Sequence, residues 1–106
     1  MWTVETLNAT VDGELEDLPA EMRARLVRLG ALIESVGFQG LPADTVKHLE
    51  EKLWELRIRG RDGIARAIYV TATGQRVVIV RAFVKKTQKT PLHELQLARQ
   101  RAKEVR

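Results

Sequence analysis

The first third of the chain carries a short strand pattern followed by a helical one. Residues 2–7 roughly alternate apolar and polar side chains, which is typical of a half-buried strand. The next apolar residues recur at spacings of three and four, which predicts an amphipathic helix, or a helix pair broken near Leu18-Pro19. Gly37 and Pro42 then favour a loop. The apolar residues of the helical pattern are Leu15, Leu18, Met22, Leu26, Leu29 and Ile33.

From residue 53 the hydrophobic period changes to two, as in β-strands. In residues 54–59 the apolar side chains of Trp54, Leu56 and Ile58 share one face of the expected strand, and the charged side chains of Glu55, Arg57 and Arg59 share the other. We expect the next two strands over residues 64–71 and 76–86, each reached through a short turn that contains glycine. Three consecutive strands joined by tight turns predict an antiparallel meander.

A last helix is expected to begin at Thr90 and Pro91, with the threonine as N-cap and the proline at the first helical position. The order of strand, helix or helix pair, three strands and helix predicts an α+β fold. We expect an antiparallel sheet of about four strands, N-terminal helices on one face and a C-terminal helix. Residues 1–106 are expected to form a single domain, because this length is near the commonest domain size.

Composition points to a soluble cytoplasmic protein without a metal or a cofactor. Apolar residues make up 44% and charged residues 30%, and no apolar run approaches the ~20 residues of a membrane span. The N-terminus lacks the pattern of a secretory signal. The absence of cysteine excludes disulfides and thiolate metal sites, and His48 and His93 are far apart with no evident third metal ligand.

The net charge of +4 conceals an asymmetry along the chain. Residues 1–56 carry eleven acids and five bases, whereas residues 57–89 carry nine bases and one acid. If these cations share a face, they predict a surface that binds a polyanion; the alternative is a solvated basic rim of the sheet. The nine bases are Arg57, Arg59, Arg61, Arg66, Arg76, Arg81, Lys85, Lys86 and Lys89.

The sequence has no Gly-rich phosphate loop, nucleophile elbow or HExxH motif, so the cationic strands are the candidate site. Arg66 shares a strand face with Ile64 and Ile68, where a charge needs a specific reason. Guanidinium groups suit bidentate phosphate contacts, and a cluster of them could stabilise the transition state of phosphate cleavage without metal. The alternative is that Arg66 is a buried ion-pair partner of Glu55.

Two segments are distinctive, Leu-Trp-Glu-Leu-Arg at 53–57 and Phe-Val-Lys-Lys-Thr-Gln-Lys-Thr-Pro at 83–91. Together with residues 46–49 and 63–69, they resemble the phage-derived HigB branch of the RelE/ParE toxin superfamily. The resemblance covers nearly the whole chain, including the order of strands and helices. It implies the toxin of a type II toxin–antitoxin system, acting as a ribosome-dependent mRNA endoribonuclease.

The same resemblance implies partners and a reaction. The partners would be mRNA, the ribosome and a cognate antitoxin, expected to be a small helix-turn-helix protein encoded nearby. Operator DNA would be contacted only through the antitoxin, and no membrane partner is implied. In RelE-like enzymes the ribose 2′-hydroxyl attacks the adjacent phosphate and leaves a 2′,3′-cyclic phosphate and a 5′-hydroxyl.

The resemblance also assigns catalytic positions. The paired strand lysines of RelE fall on Arg57 and Arg59 of this chain. Its phosphate-clamping arginine falls on Arg66, and its second arginine site, just after the third strand, falls on Lys86.

One departure from the RelE pattern concerns proton transfer. The catalytic tyrosine of RelE falls at about Leu92, which has no acid–base chemistry, so we expect the neighbouring His93 to act as general base or acid. The alternative is that His93 is an ordinary first-turn helix residue.

Further cations are expected to bind RNA outside the catalytic set. For Lys47 the alternative is that it and His48 fix the loop after the helical region onto the domain. For Lys85 the alternative is a solvent-exposed position without a phosphate contact. The predicted RNA-binding residues are Lys47, Arg61, Lys85 and Lys89.

A rival function on the same fold is a ParE-like gyrase poison, which acts by binding protein and lacks the basic catalytic set. The dense cations of the meander favour RNA cleavage. A catalytically inactive relative that only binds its antitoxin is the third alternative.

Overall fold

One mixed β-sheet, with helices on both faces, forms the framework of the protein in a computed structural model that describes residues 1–61, 63–85 and 89–106. The sheet lies between two hydrophobic clusters, one beneath the first two helices and one beneath the last. In chain order the elements are β1 (Thr3–Thr6), α1 (Ala9–Glu16), α2 (Ala20–Val36), a 3-10 helix (Phe38–Gly40), β2 (Val46–Glu50), β3 (Leu53–Gly60), β4 (Gly63–Ala72), β5 (Arg76–Lys85) and α3 (Leu92–Ala102).

The strand order is β1-β5-β4-β3-β2, and the predicted α+β architecture with its central meander is confirmed. Two details differ from the prediction of about four antiparallel strands. β1 lies parallel to β5, and β2 adds a fifth strand antiparallel to β3. β2 lacks an alternating pattern because Lys47 and His48 are both exposed and the register shifts between His48 and Glu50.

The N-terminal helical region is a helix pair broken at Leu18-Pro19, one of the two alternatives that the sequence leaves open. The Asn8 side chain caps α1 by accepting a hydrogen bond from the backbone N–H of Val11 at 3.1 Å. α2 ends at Val36, and the following Gly37 has a φ of 79°, which favours glycine.

Each face of the sheet has its own hydrophobic cluster. On the α2 face, buried residues of α2 such as Met22 and Ile33 pack with Leu56 of β3. On the α3 face, Ala98 of α3 packs with Ile68 and other buried strand residues. Burial of a large apolar side chain stabilises the fold by about 2 kcal/mol. In the part of the chain that the structure describes, no helix is long and apolar enough to cross a membrane.

The start of α3 differs from the prediction. Pro91, not Thr90, occupies the N-cap position, and no side chain caps this helix within the described residues. The Thr90 hydroxyl instead points into the protein, where it donates a hydrogen bond to Glu55 and accepts one from Arg66. A buried polar group gains more from such partners than from a solvent-exposed cap, because an unsatisfied buried group is costly.

Candidate active site

Arg57 and Arg66 stand directly opposite each other in β3 and β4, on the α3 face of the sheet. The side chains of Arg57 and Arg66 are 13% and 1% exposed, respectively. Like charges directly opposite each other in a sheet are destabilising, so this arrangement requires a counter-charge.

Glu55 supplies that counter-charge from a fully buried position, 0% exposed. Its Oε1 lies 3.2 Å from Nε of Arg57, and its Oε2 accepts a hydrogen bond of 2.7 Å from the Thr90 hydroxyl. The Thr90 hydroxyl in turn accepts a hydrogen bond of 3.0 Å from a terminal guanidinium nitrogen of Arg66. We call these four residues the Glu55 network.

Opposing effects act on the pKa of the Arg66 guanidinium. Burial lowers the pKa of its guanidinium, the charge of Glu55 raises that pKa, and the charge of Arg57 lowers it. An arginine nevertheless stays protonated at physiological pH, because its ordinary pKa lies far above that range. Arg66 is therefore a buried cation beside Glu55, the alternative position that the sequence leaves open. In this conformation Arg66 is only 1% exposed, so a substrate phosphate does not reach it directly.

The sheet brings other predicted site residues close to this network. Arg59 of β3 and Lys85 of β5 both lie opposite Ile64, in the row next to Arg57 and Arg66. Arg59 is exposed and Lys85 is half-buried. Lys47 is exposed on β2 directly opposite Glu55, so it lies on the same face as the network.

The remaining predicted RNA-binding cations flank this face at turns. Arg61 is exposed just beyond the end of β3, and Lys89 is exposed immediately before Thr90. Lys86, which was predicted to be catalytic, lies outside the described residues.

His93 is placed at the beginning of α3. Its side chain is 69% exposed, and its Nε2 lies 3.6 Å from Oε2 of Glu94. Because Thr90 binds both Glu55 and Arg66, the start of α3 is fixed at the network, and His93 follows Thr90 by less than one helical turn. The exposed neighbour Leu92 occupies the position where the RelE pattern has tyrosine.

Arg76 and Arg81, two further cations of the predicted set, are paired with acids outside the Glu55 network. Arg81 forms ion pairs with Glu94 at 2.6 Å and with Glu14 at 3.0 Å, and the hydrogen bond that it donates to Glu94 raises the pKa of Arg81. Arg76 pairs with Glu5 of β1. Both cations are thus held by acids from other elements.

The sequence named Glu55 only as an alternative partner of Arg66, and it did not predict the role of Thr90. The usable signal for Glu55 was its strand face, which it shares with Arg57 and, across the sheet, with Arg66. The sequence held no such signal for Thr90, because a threonine followed by proline is typical of a helix cap.

A family comparison adds an independent finding to this geometry. The model of the phage-derived Gp49-like proteins (DUF891) matches residues 13–103. The chain belongs to this family. The Gp49-like family is RelE-like and toxin-like, so the expected relation to RelE-type toxins is confirmed at this level. A comparison with curated proteins finds no match.

Proposed function

We propose that this Gp49-like protein is the toxin of a type II toxin–antitoxin system, in the HigB branch, and that it cleaves mRNA on the ribosome. The observation that carries the proposal is the cationic α3 face, where Arg57 and Arg66 are paired and Arg59 and Lys85 form the next row. A phosphodiester is the substrate group that such a set of cations suits best. Membership of a toxin-like family supports the same class.

The proposed reaction needs a base and positive charge, and no metal or cofactor. The ribose 2′-hydroxyl attacks the adjacent phosphorus while His93 takes its proton. The bond between phosphorus and the 5′-oxygen then breaks, that oxygen takes up a proton from water, and His93 returns its proton to solvent. The products are a 2′,3′-cyclic phosphate and a 5′-hydroxyl. Extra negative charge develops on the phosphoryl oxygens in the transition state, where loss of one well-placed donor costs about 10²–10³ in rate.

The exposure of each cation determines whether it can contact the phosphate directly or only contribute its charge. Arg59 and the partly exposed Arg57 contact the phosphate, and Lys86, which lies outside the described residues, is proposed to add a further contact. Arg66 contributes its charge from beneath the surface and holds the start of α3 through Thr90. Lys47, Arg61, Lys85 and Lys89 would bind the flanking RNA.

The proposed protein partner is a small helix-turn-helix antitoxin encoded nearby. It would suppress cleavage when bound and would carry the toxin to operator DNA, which the toxin itself does not contact.

The function is tested by inducing the gene in growing bacteria and mapping 5′ ends of cellular mRNA by primer extension. We expect growth arrest and new 5′ ends within translated frames. The control is a variant with Arg57→Gln and Arg59→Gln, which removes two proposed phosphate contacts and should give neither effect.

Other outcomes of this experiment would overturn the proposal. Intact transcripts with a DNA-damage response and linearised plasmid would indicate a ParE-like gyrase poison. Normal growth with intact transcripts, despite a folded protein, would indicate a catalytically inactive relative.

A further inference from the structure

A cleft opens at the edge of the sheet where β3 extends beyond the first residue of β2. The pairing of the two strands stops at Val46 and Leu56, and the backbone N–H of Arg57 then donates to the carbonyl of Thr45 at 2.7 Å. β3 continues to Gly60 without β2 beside it. A cleft of about 490 Å³ lies between this part of β3, residues 42–45 and α2.

The cleft is strongly cationic. Four arginines line it, Arg25 and Arg28 from α2 and Arg57 and Arg59 from β3, and Asp44 is its one carboxylate among the described residues. The cleft thus brings two arginines of α2 to the same stretch of β3 that carries Arg57 and Arg59. Clefts lined by one sign of charge concentrate ligands of the opposite charge.

Arg25 connects the two sides of the cleft. One terminal nitrogen of its guanidinium donates to the backbone carbonyl of Arg59 at 2.7 Å, and the other lies 2.9 Å from Glu21 on the preceding helical turn. The side chain is therefore held against the end of β3. Arg28 follows on the same side of α2, is exposed, and makes no ion pair with any residue that the structure describes.

We propose that this cleft binds the phosphodiester backbone of RNA next to the cut site, with Arg25 and Arg28 as phosphate contacts. The inference rests on the proposed function and adds a binding site to it. Arg57 and Arg59 belong both to the cleft and to the candidate active site, so RNA bound at the active site has a continuous cationic path into the cleft. Guanidinium groups pair with carboxylates as well as with phosphates. The continuity with the active site is therefore what favours RNA over an acidic protein segment.

The test measures binding separately from cleavage. A short fluorescein-labelled 2′-O-methyl oligoribonucleotide of mixed sequence cannot be cut by attack of its own 2′-hydroxyl. Its dissociation constant for the full-length protein is measured by fluorescence anisotropy at several salt concentrations. We expect Arg28→Gln to weaken binding about 3- to 10-fold and to reduce the salt slope by about 0.7, the value for one phosphate contact on a single strand.

Arg23→Gln provides the matched control. Arg23 is another exposed arginine of α2, but it lies outside the cleft and donates to the carbonyl of Glu16 at 2.8 Å. Its loss changes the net charge equally, and we expect an unchanged dissociation constant. Thermal unfolding followed by circular dichroism verifies that both variants are folded.

Several results would overturn the inference. Equal effects of Arg28→Gln and Arg23→Gln on binding would show that the cleft does not bind RNA. In that case mRNA cleavage in induced cells would still support the proposed function. Absence of oligonucleotide binding by the wild type would also overturn the inference. Binding of a labelled polyglutamate peptide that depends on Arg28, in place of RNA binding, would assign the cleft to an acidic protein segment.

Discussion

Arg66 carries its charge inside the protein, beneath the first turn of α3. The alternation of residues in β4 predicted that this arginine shares a face with two isoleucines, and the structure agrees. Its burial could not be predicted from the strand alone, because it depends on Thr90, which binds it from 24 residues away along the chain. The sequence therefore left two roles open, and the structure shows that the side chain lies beside Glu55.

The coupling between Arg66 and Glu55 gives a prediction at the scale of single residues. Arg66→Met should lower the free energy of unfolding by about 3 kcal/mol, because it leaves the buried Glu55 carboxylate with less compensating charge. Combining it with Glu55→Gln should cost less than the sum of the two single changes, by about 0.5–3 kcal/mol. Urea denaturation of the four proteins in this cycle measures both quantities.

Additive effects in that cycle would show that the two charges do not interact. The double variant also separates stability from catalysis, because it lacks the buried charge together with its counter-charge. If it is folded and still cleaves mRNA at the wild-type rate, Arg66 has no catalytic role.

At the scale of elements, β2 and α3 show what periodicity can predict. α3 is predictable because Leu92, Leu95, Ala98 and Ala102 recur at helical spacing within one short segment. β2 was interpreted as a loop because its adjacent exposed residues and register shift hide the period of two. A short strand of this kind exists through its pairing with β3, which is a long-range effect. The start of α3 was placed correctly to within two residues, but its threonine binds the sheet instead of capping the helix.

The position of His93 depends on how α3 begins, and its proposed role in proton transfer can be tested by substitution. If it is the general base, His93→Ala should slow mRNA cleavage by about 10²–10⁴. His93→Gln should be nearly as slow, because an amide can form hydrogen bonds but cannot accept the proton. Cleavage is measured by primer extension after timed incubation in a cell-free translation reaction.

His48→Ala is the control for this experiment. His48 is also exposed, but it lies on β2 and contacts the ring of Trp54, so its loss should leave the cleavage rate unchanged. Wild-type rates in both His93 variants would mean that the arginines act by charge alone and that His93 is an ordinary helix residue.

At the scale of the whole molecule, the acidic first half of the chain folds against the basic second half. Glu5 pairs with Arg76, Glu50 with Arg99, and Glu14 with arginines of β5 and α3. The charge asymmetry along the sequence therefore overstated the polyanion-binding surface, because part of it is compensated internally. Composition could not reveal this pairing, which depends on the tertiary arrangement of the helices around the sheet.

Glu14 is the clearest case of this compensation, and it supplies the prediction for the whole molecule. Its carboxylate accepts a hydrogen bond from the backbone N–H of Ala82 at 3.2 Å, and it pairs with Arg81 at 3.0 Å and Arg101 at 2.8 Å. α1 is thereby joined to β5 and α3 at one edge of the sheet. Glu14→Ala should lower the free energy of unfolding by about 2–3 kcal/mol, because it leaves two largely buried guanidinium groups and a strand N–H with fewer partners.

Glu16→Ala tests whether this loss reflects the tertiary contact or only a missing charge on α1. Glu16 belongs to the same helix and is exposed, and its carboxylate makes no hydrogen bond or ion pair among the residues that the structure describes. Its replacement should change stability by no more than about 0.5 kcal/mol in urea denaturation. Because both variants remove one negative charge, equal losses would mean that general electrostatics sets the stability. A loss confined to Glu14→Ala would mean that the three elements are held together at this edge by a specific set of bonds.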